Sequence, residues 1–421
     1  MNCRSIALLL IFTFIIVSCQ KESVSNNDDV DLLEESISSG NTITSGVSEA
    51  AQPCVNGFSG KYPCKGYDLL GHISISSFYA SDGNDSWGWT DSTTDKEYVL
   101  MGLDNGTAFV DISDPKNPIL LGKLPTTTDP SIWRDIKVFD NHAYIVSEAD
   151  NHGIQVFDLT RLRGVEQPQT FTEDRVLSAV PKAHNMVINE ESGYGYVVGT
   201  DRKDEFLGGV HFLNLNDPQN FRFEGGYADA GYSHDAQVVL YRGPDKDYSG
   251  REIFLGSNES KLVIIDVTDK KKPITISEAT YQNTFYTHQG WFDKTQRFFI
   301  LGDELDEYKI GGKTRTLIFD LNDLDNPKLH QTYRGPTNAI DHNGYVKGDL
   351  FYLANYTAGI RVIAIDDLEN KNMTEVGFFD TFPNHNNPTF DGAWNVYPFF
   401  ESGVIAISDI NGGLFLIKKS E

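Results

Sequence analysis

Four short phrases hold the side chains best suited to chemistry: AHN around His184, SHD around His234, THQGW around His288 and DHN around His342. Imidazole suits zinc, copper, iron and nickel, whereas carboxylate oxygens suit harder ions such as calcium. A carboxylate beside a ligating imidazole also fixes its second ring nitrogen. Acids and amides recur at a second matching place, namely Asp104, Glu148, Asp201, Asn258 with Glu259, Asp303 with Glu304, Asn355 and Asp409. Glu148, Glu259 and Asp303 are the expected further metal ligands or supporting acids. Trp133-Arg134-Asp135 and Trp394 fall at comparable places, as Trp87 and Trp89 do in the first unit, and His152 lies in the following loop of the second unit. Trp133, Arg134, Asp135, His152 and Trp394 are the expected ligand contacts, while Trp89 could stack on a sugar but is expected rather to pack inside the blades.

A lone histidine at the start of a strand is ordinarily structural. Four of the ten in the chain stand at equivalent positions in consecutive units. Three readings stay open: a metal site, a polar site for a small ligand, and a structural pore lining. The expected cofactor is a divalent or transition metal ion, drawn from zinc, copper, iron and calcium. Other signals are weaker. Ser81–Asp85 is rich in loop oxygens but lacks EF-hand spacing. There is no G-x-S-x-G, no P-loop and no evident Cys/His nucleophile pair.

These side chains must be held by a repeat. GTAFVDISDPKNP from Gly106 has counterparts in GIQVFDLTRLRG from Gly153, GVHFLNLNDPQN from Gly209 and KLVIIDVTDKKKP from Lys261. RTLIFDLNDLDNP from Arg315, GIRVIAIDDLEN from Gly359 and GLFLIKKS from Gly413 complete the set. The starts lie 47, 56, 52, 54, 44 and 54 residues apart, the spacing of four-stranded propeller blades. Runs such as Asp135–Phe139, His142–Glu148 and Ile154–Leu159, with a fourth from Gln169, are rich in β-formers and bounded by turn residues. No convincing amphipathic helix follows residue 53. The expectation is all-β: a seven-bladed β-propeller over 53–421. The last unit stops after its third strand, and YDLLGHI from Tyr67 resembles ILLGKL from Ile119, the outer strand of the first unit. The N-terminal strand is therefore expected to complete the last blade and remove an open edge.

The phrases LVIIDVTD, AFVDISDPKNP, HDAQVV, THQGWF, GDELDE, TRTLIFDL and DHNGYVKG, spread from Cys54 to Leu416, resemble the LVIVD-repeat proteins of the choice-of-anchor B family. That resemblance implies a bacterial surface or secreted propeller attached by varied anchors. It brings no reaction and no catalytic motif.

Residues 1–18 read as a lipoprotein signal peptide, in which Arg4 precedes the apolar run Ile6–Val17 and Ser18-Cys19 ends it. Cys19 is the expected lipidation site, and lipid there would attach the chain to a membrane, expected to be the bacterial outer membrane. Residues 19–52 are polar and acidic and read as a disordered tether. Cys54 and Cys64 are expected to form a disulfide, since a two-ligand metal site would lack a nearby histidine. The net charge of −25 argues against nucleic acid as a partner. Together these point to a lipid-anchored extracytoplasmic propeller that binds an extracellular ligand, metal or surface protein at its histidine-bearing face. The alternative is a metal-dependent extracytoplasmic hydrolase or oxidoreductase using the same histidines.

Overall fold

The computed structural model describes residues 48–217 and 220–421. The expected signal peptide, Cys19 and the tether up to residue 47 lie outside the described residues. Within them the chain forms seven sheets, each built on four antiparallel strands. The innermost strands are Gly83–Asp91, Arg134–Phe139, Asn185–Asn189, Asp235–Leu240, Thr287–Phe292, Gly344–Lys347 and Ala393–Tyr397. They stand side by side around an axis, with the seventh against the first. This is the expected seven-bladed propeller, and the repeat phrases supply the third strand of each blade.

Apolar side chains fill the gaps between neighbouring blades. In the second strand of blade 1, Lys96–Leu103, the pleat sends Val99 and Met101 toward blade 7, and Tyr98 and Leu100 toward blade 2. Successive side chains of a strand point to opposite faces, and here both faces are covered. Runs such as LVIID (Leu262–Asp266) are consequently apolar throughout rather than alternating.

The ring closes as the sequence predicts. Tyr67–Ser74 pairs antiparallel with the third strand of blade 7, Gly413–Lys419, with Gly413 opposite Ser74 and Ile417 opposite Leu69. Gly413 has φ +95°, and a Cβ there would meet the Ile73 carbonyl oxygen at 2.4 Å. A residue without a side chain is required for so close an approach. The Cys54–Cys64 disulfide forms as expected. It ties the segment leading into this strand, and Cys64 itself pairs with Phe379 of blade 6.

Three details differ from expectation. Glu49–Gln52, placed in the tether, forms a strand on the far side of Tyr67–Ser74, with Glu49 opposite His72 and Gln52 opposite Leu69. The closing strand has a free edge there, which this segment covers. The fourth strand of blade 2 is Arg175–Leu177. Gln169–Thr170 instead pairs in parallel with the outer strand of blade 1, because Phe171 is drawn into the core between blades 1 and 2 beside Phe109 and Phe157. Among the described residues one five-residue α-helix, Asp306–Ile310, interrupts the β structure; it is too short to leave a helical period in the sequence.

Candidate functional site

The four histidines converge. Each stands at or just before the inner strand of its blade, in blades 3 to 6, and neighbouring blades bring the rings into a row. The ring centroids of His184 and His234 lie 4.0 Å apart, those of His234 and His288 4.7 Å, and those of His288 and His342 4.4 Å. Trp394 of blade 7 continues the row, 4.8 Å from His342. The row lines a cavity of about 540 Å³ at one mouth of the axis, walled also by Trp133, Glu148, Tyr286, Glu304, Tyr356 and Phe390.

Hydrogen bonds set the orientation of most of these rings. Nδ1 of His184 lies 2.6 Å from Oε1 of Glu148. Nδ1 of His234 lies 3.3 Å from the carbonyl oxygen of His288, and Nδ1 of His342 lies 2.6 Å from that of Trp394. Each acceptor places the proton on Nδ1 and leaves the Nε2 lone pair free. Nδ1 of His288 is buried without a partner.

Burial decides the charges. Burial and then the charge of His184 push His234 well below the ordinary imidazole range. Burial, with His342 and His234 as neighbours, does the same to His288. Burial brings His342 down to about 3. His184 moves the other way: burial opposes its charge, but the hydrogen bond and charge of Glu148 outweigh it. Burial raises Glu304 to about 7. Three neutral imidazoles thus face the same space near neutral pH as an acid that burial holds close to its titration point.

The expected acids are not all in place. Glu148 holds His184, as a supporting acid would. Asp303 does not reach the row. It is wholly buried and accepts from the backbone N–H groups of Phe285 and Tyr286 and from the Tyr281 hydroxyl. Its neighbour Glu304 turns to the axis instead. Its Oε2 is 3.9 Å from Nε2 of His288, its Oε1 is 3.5 Å from Nε2 of His342, and Oε1 also accepts from Tyr356 at 2.8 Å. Glu259 pairs with Arg202 at 2.6 Å and lies away from the cavity lining.

Among the expected ligand contacts, Trp133 and Trp394 line the cavity, Trp133 with 43% of its surface exposed. Arg134 and His152 do not line it. Arg134 is buried, donates to the Leu103 carbonyl at 3.1 Å and meets Nε2 of His152 at 2.9 Å; the Nδ1 of that histidine is 2.8 Å from the Gly153 carbonyl. Burial, then the Arg134 charge, lowers His152 to about 4. Asp135 sits deeper, in a buried ion pair with Lys137 at 2.5 Å, and Asp85 flanks that amine at 3.5 Å. Asp85 therefore belongs to this axial ion cluster, and the acidic stretch that ends at it is no open cation loop. Trp87 and Trp89 do not join the histidine row, and for Trp89 the burial within the blades is the role the sequence favours over stacking on a ligand. Trp89 packs on Tyr98 inside the blade 1–2 core. Trp87 lies at a second cavity of about 380 Å³, lined also by Lys137, Trp291, Tyr397 and Phe399. Tyr286, Tyr356 and Phe390 escaped the sequence reading altogether: the first precedes an inner strand, the second follows a second strand, and the third lies in a connection with no repeat signature.

Comparison with known proteins adds the fold and one repeat. Residues 97–126 match the model of the LVIVD repeat. That match falls on the second and third strands of blade 1 and the turn and outer strand that follow. The chain is a repeat β-propeller. The crystal structure of the Cps50 (Swd1) β-propeller domain from Myceliophteria thermophila is similar with a TM-score of 0.50 and 9% identity, over 77% of this chain and 94% of that one. A protein from Lactobacillus plantarum gives a TM-score of 0.49 and 13% identity, over 77% of this chain and 88% of that one. At 9% identity the likeness to the Cps50 domain is one of fold alone. No curated protein matches the chain.

Proposed function

We propose that this propeller is a binding module whose histidine-lined mouth captures a divalent transition-metal ion. One observation carries the reading: four imidazoles, two of them (His234 and His342) held through Nδ1 with Nε2 left free, line one cavity together with Glu304. Nitrogen donors of this kind select zinc, copper, iron or nickel over calcium, which takes six to eight oxygens. The enzymatic alternative is not favoured, because the propeller scaffold and the donor set explain capture.

The place of action is part of the same proposal. Lipid on Cys19 would hold the propeller at the outer membrane, and the Cys54–Cys64 disulfide suits an oxidising compartment. No helix among the described residues is long and apolar enough to cross a membrane.

Isothermal titration of the purified chain with zinc, copper(II) and calcium tests the site. Zinc or copper should bind and calcium should not. Pairing His234→Ala with His342→Ala should weaken transition-metal binding at least 100-fold while leaving the melting transition cooperative. A wild-type chain that takes up no transition-metal ion refutes the reading. Cys19→Ser should release the protein from the membrane fraction, and persistence there would refute the anchor.

A further inference from the structure

We infer that the histidine row holds two metal ions, with His288 shared between them. This rests on the reading that the mouth binds metal and concerns how many ions it takes and which residue joins them.

The donors do not form one coordination sphere. They fall into two triads, His184/His234/His288 and His288/Glu304/His342, each with its ligand atoms within 4.8 Å of one another. A zinc-like ion holds imidazole nitrogen and carboxylate oxygen at about 2.0–2.2 Å, so it joins donors no more than about 4 Å apart. Small side-chain movements bring either triad within that limit. One ion cannot gather both ends of a row of four rings set 4.0, 4.7 and 4.4 Å apart between centroids.

His288 is the member common to both triads, and it differs from the other three. His184, His234 and His342 each have Nδ1 against an acceptor, which leaves one nitrogen apiece for a metal. Nδ1 of His288 has no partner although it is buried, while its Nε2 points toward Glu304 at 3.9 Å. An unpaired buried polar atom is costly, and a second metal bond would satisfy it. Both nitrogens of one ring can therefore serve, one toward each triad.

The charges and protons balance. A neutral imidazole carries one N–H. When both nitrogens bind metal, that proton leaves to solvent and the bridging ring becomes imidazolate, with no change of oxidation state. The anionic bridge, Glu304 and Glu148 offset the charge of the second dication, and Asp82 and Asp391 lie on the same cavity wall.

The test is stoichiometry on the full chain. After dialysis against zinc, elemental analysis should give two ions per chain for wild type and one each for His184→Ala and His342→Ala. With two equivalents of copper(II), coupling through the bridge should reduce the electron paramagnetic resonance signal well below two spins. His288→Ala should bind at most one ion, and its melting curve reports whether it folds; if it does not, the two end variants and the copper spectrum decide. One zinc per wild-type chain overturns this inference and leaves the proposed function standing, whereas none overturns both. Two full, uncoupled copper spins, or two ions retained in folded His288→Ala, overturn the sharing.

Discussion

Substituting Ile73 by alanine tests whether the N-terminal strand is a structural member of the last blade or a decoration on it. Ile73 is 0% exposed and packs with Leu414, Leu416 and Ala406 of blade 7 and with Val99 and Met101 of blade 1. Truncating a buried isoleucine to alanine costs about 2–5 kcal/mol, the transfer term plus the cavity it leaves. The unfolding entropy near the midpoint is about 2.1 cal/mol/K per residue, or about 0.8 kcal/mol/K for roughly 370 residues. The loss therefore lowers the melting temperature by about 3–6 °C. Leu124 gives the internal standard, being equally buried on the outer strand of blade 1, which belongs to a blade contiguous in sequence. Leu124→Ala should fall in the same range. Differential scanning calorimetry of the two variants checks this. An Ile73→Ala melting point within a degree of wild type, with Leu124→Ala shifted, would show that the strand adds little, and the argument for closure would fail.

Three further outcomes are expected. Lys137 is buried between Asp135 and Asp85, so Lys137→Met should destabilise by about 3–5 kcal/mol by leaving buried carboxylates unpaired; chemical denaturation should show part of that loss recovered in Lys137→Met with Asp135→Asn. Glu148→Gln should move the His184 titration downward, as followed by imidazole NMR. Because Glu148 raises the folded pKa of His184 above the ordinary imidazole value of 6.5, the stabilisation is full below that value and fades as pH rises through the folded pKa, so the two proteins should differ most in melting temperature at the acid side. Reducing the Cys54–Cys64 bridge, which closes a loop of separation 10, should lower stability by about 3 kcal/mol, and equal melting curves with and without reductant would contradict that.

Much of the architecture was legible because a propeller repeats. The recurring phrase of the third strand, followed in four blades by an Asp-and-Pro turn, gave the blade count, and the likeness of YDLLGHI to ILLGKL gave the closing strand. The histidines could be placed together because position within the repeat maps onto one face. What the sequence could not show is which way a side chain turns where a strand ends. Asp303 and Glu304 are chemically similar neighbours, yet one is taken up by the backbone amides of Phe285 and Tyr286 and the other reaches the row. Arg134 at an inner-strand start and His152 in a later loop of the same blade meet each other inside the structure instead of facing the cavity. Gln169–Thr170 has the composition of an outer strand, and only the burial of Phe171 between two blades shows why it crosses to blade 1.

The closing strand also imposes an order on biosynthesis. The bond between Nε2 of His72 and the carbonyl of Gly412 spans 340 residues, so the ribosome makes one side of the last blade long before the other. At about 5–20 residues per second that interval is roughly 20–70 s. Throughout it Tyr67–Ser74 has no third strand to join, and its unpaired backbone is open to the wrong partners. Blades 1 to 5 lie wholly between the two halves of the seam and can assemble as they emerge; the ring itself cannot shut until Gly413–Lys419 has been made and can pair with Tyr67–Ser74. A newly made chain therefore passes through an open-ring stage whose lifetime is set by translation, and helpers that hold the N-terminal segment extended would act during that window.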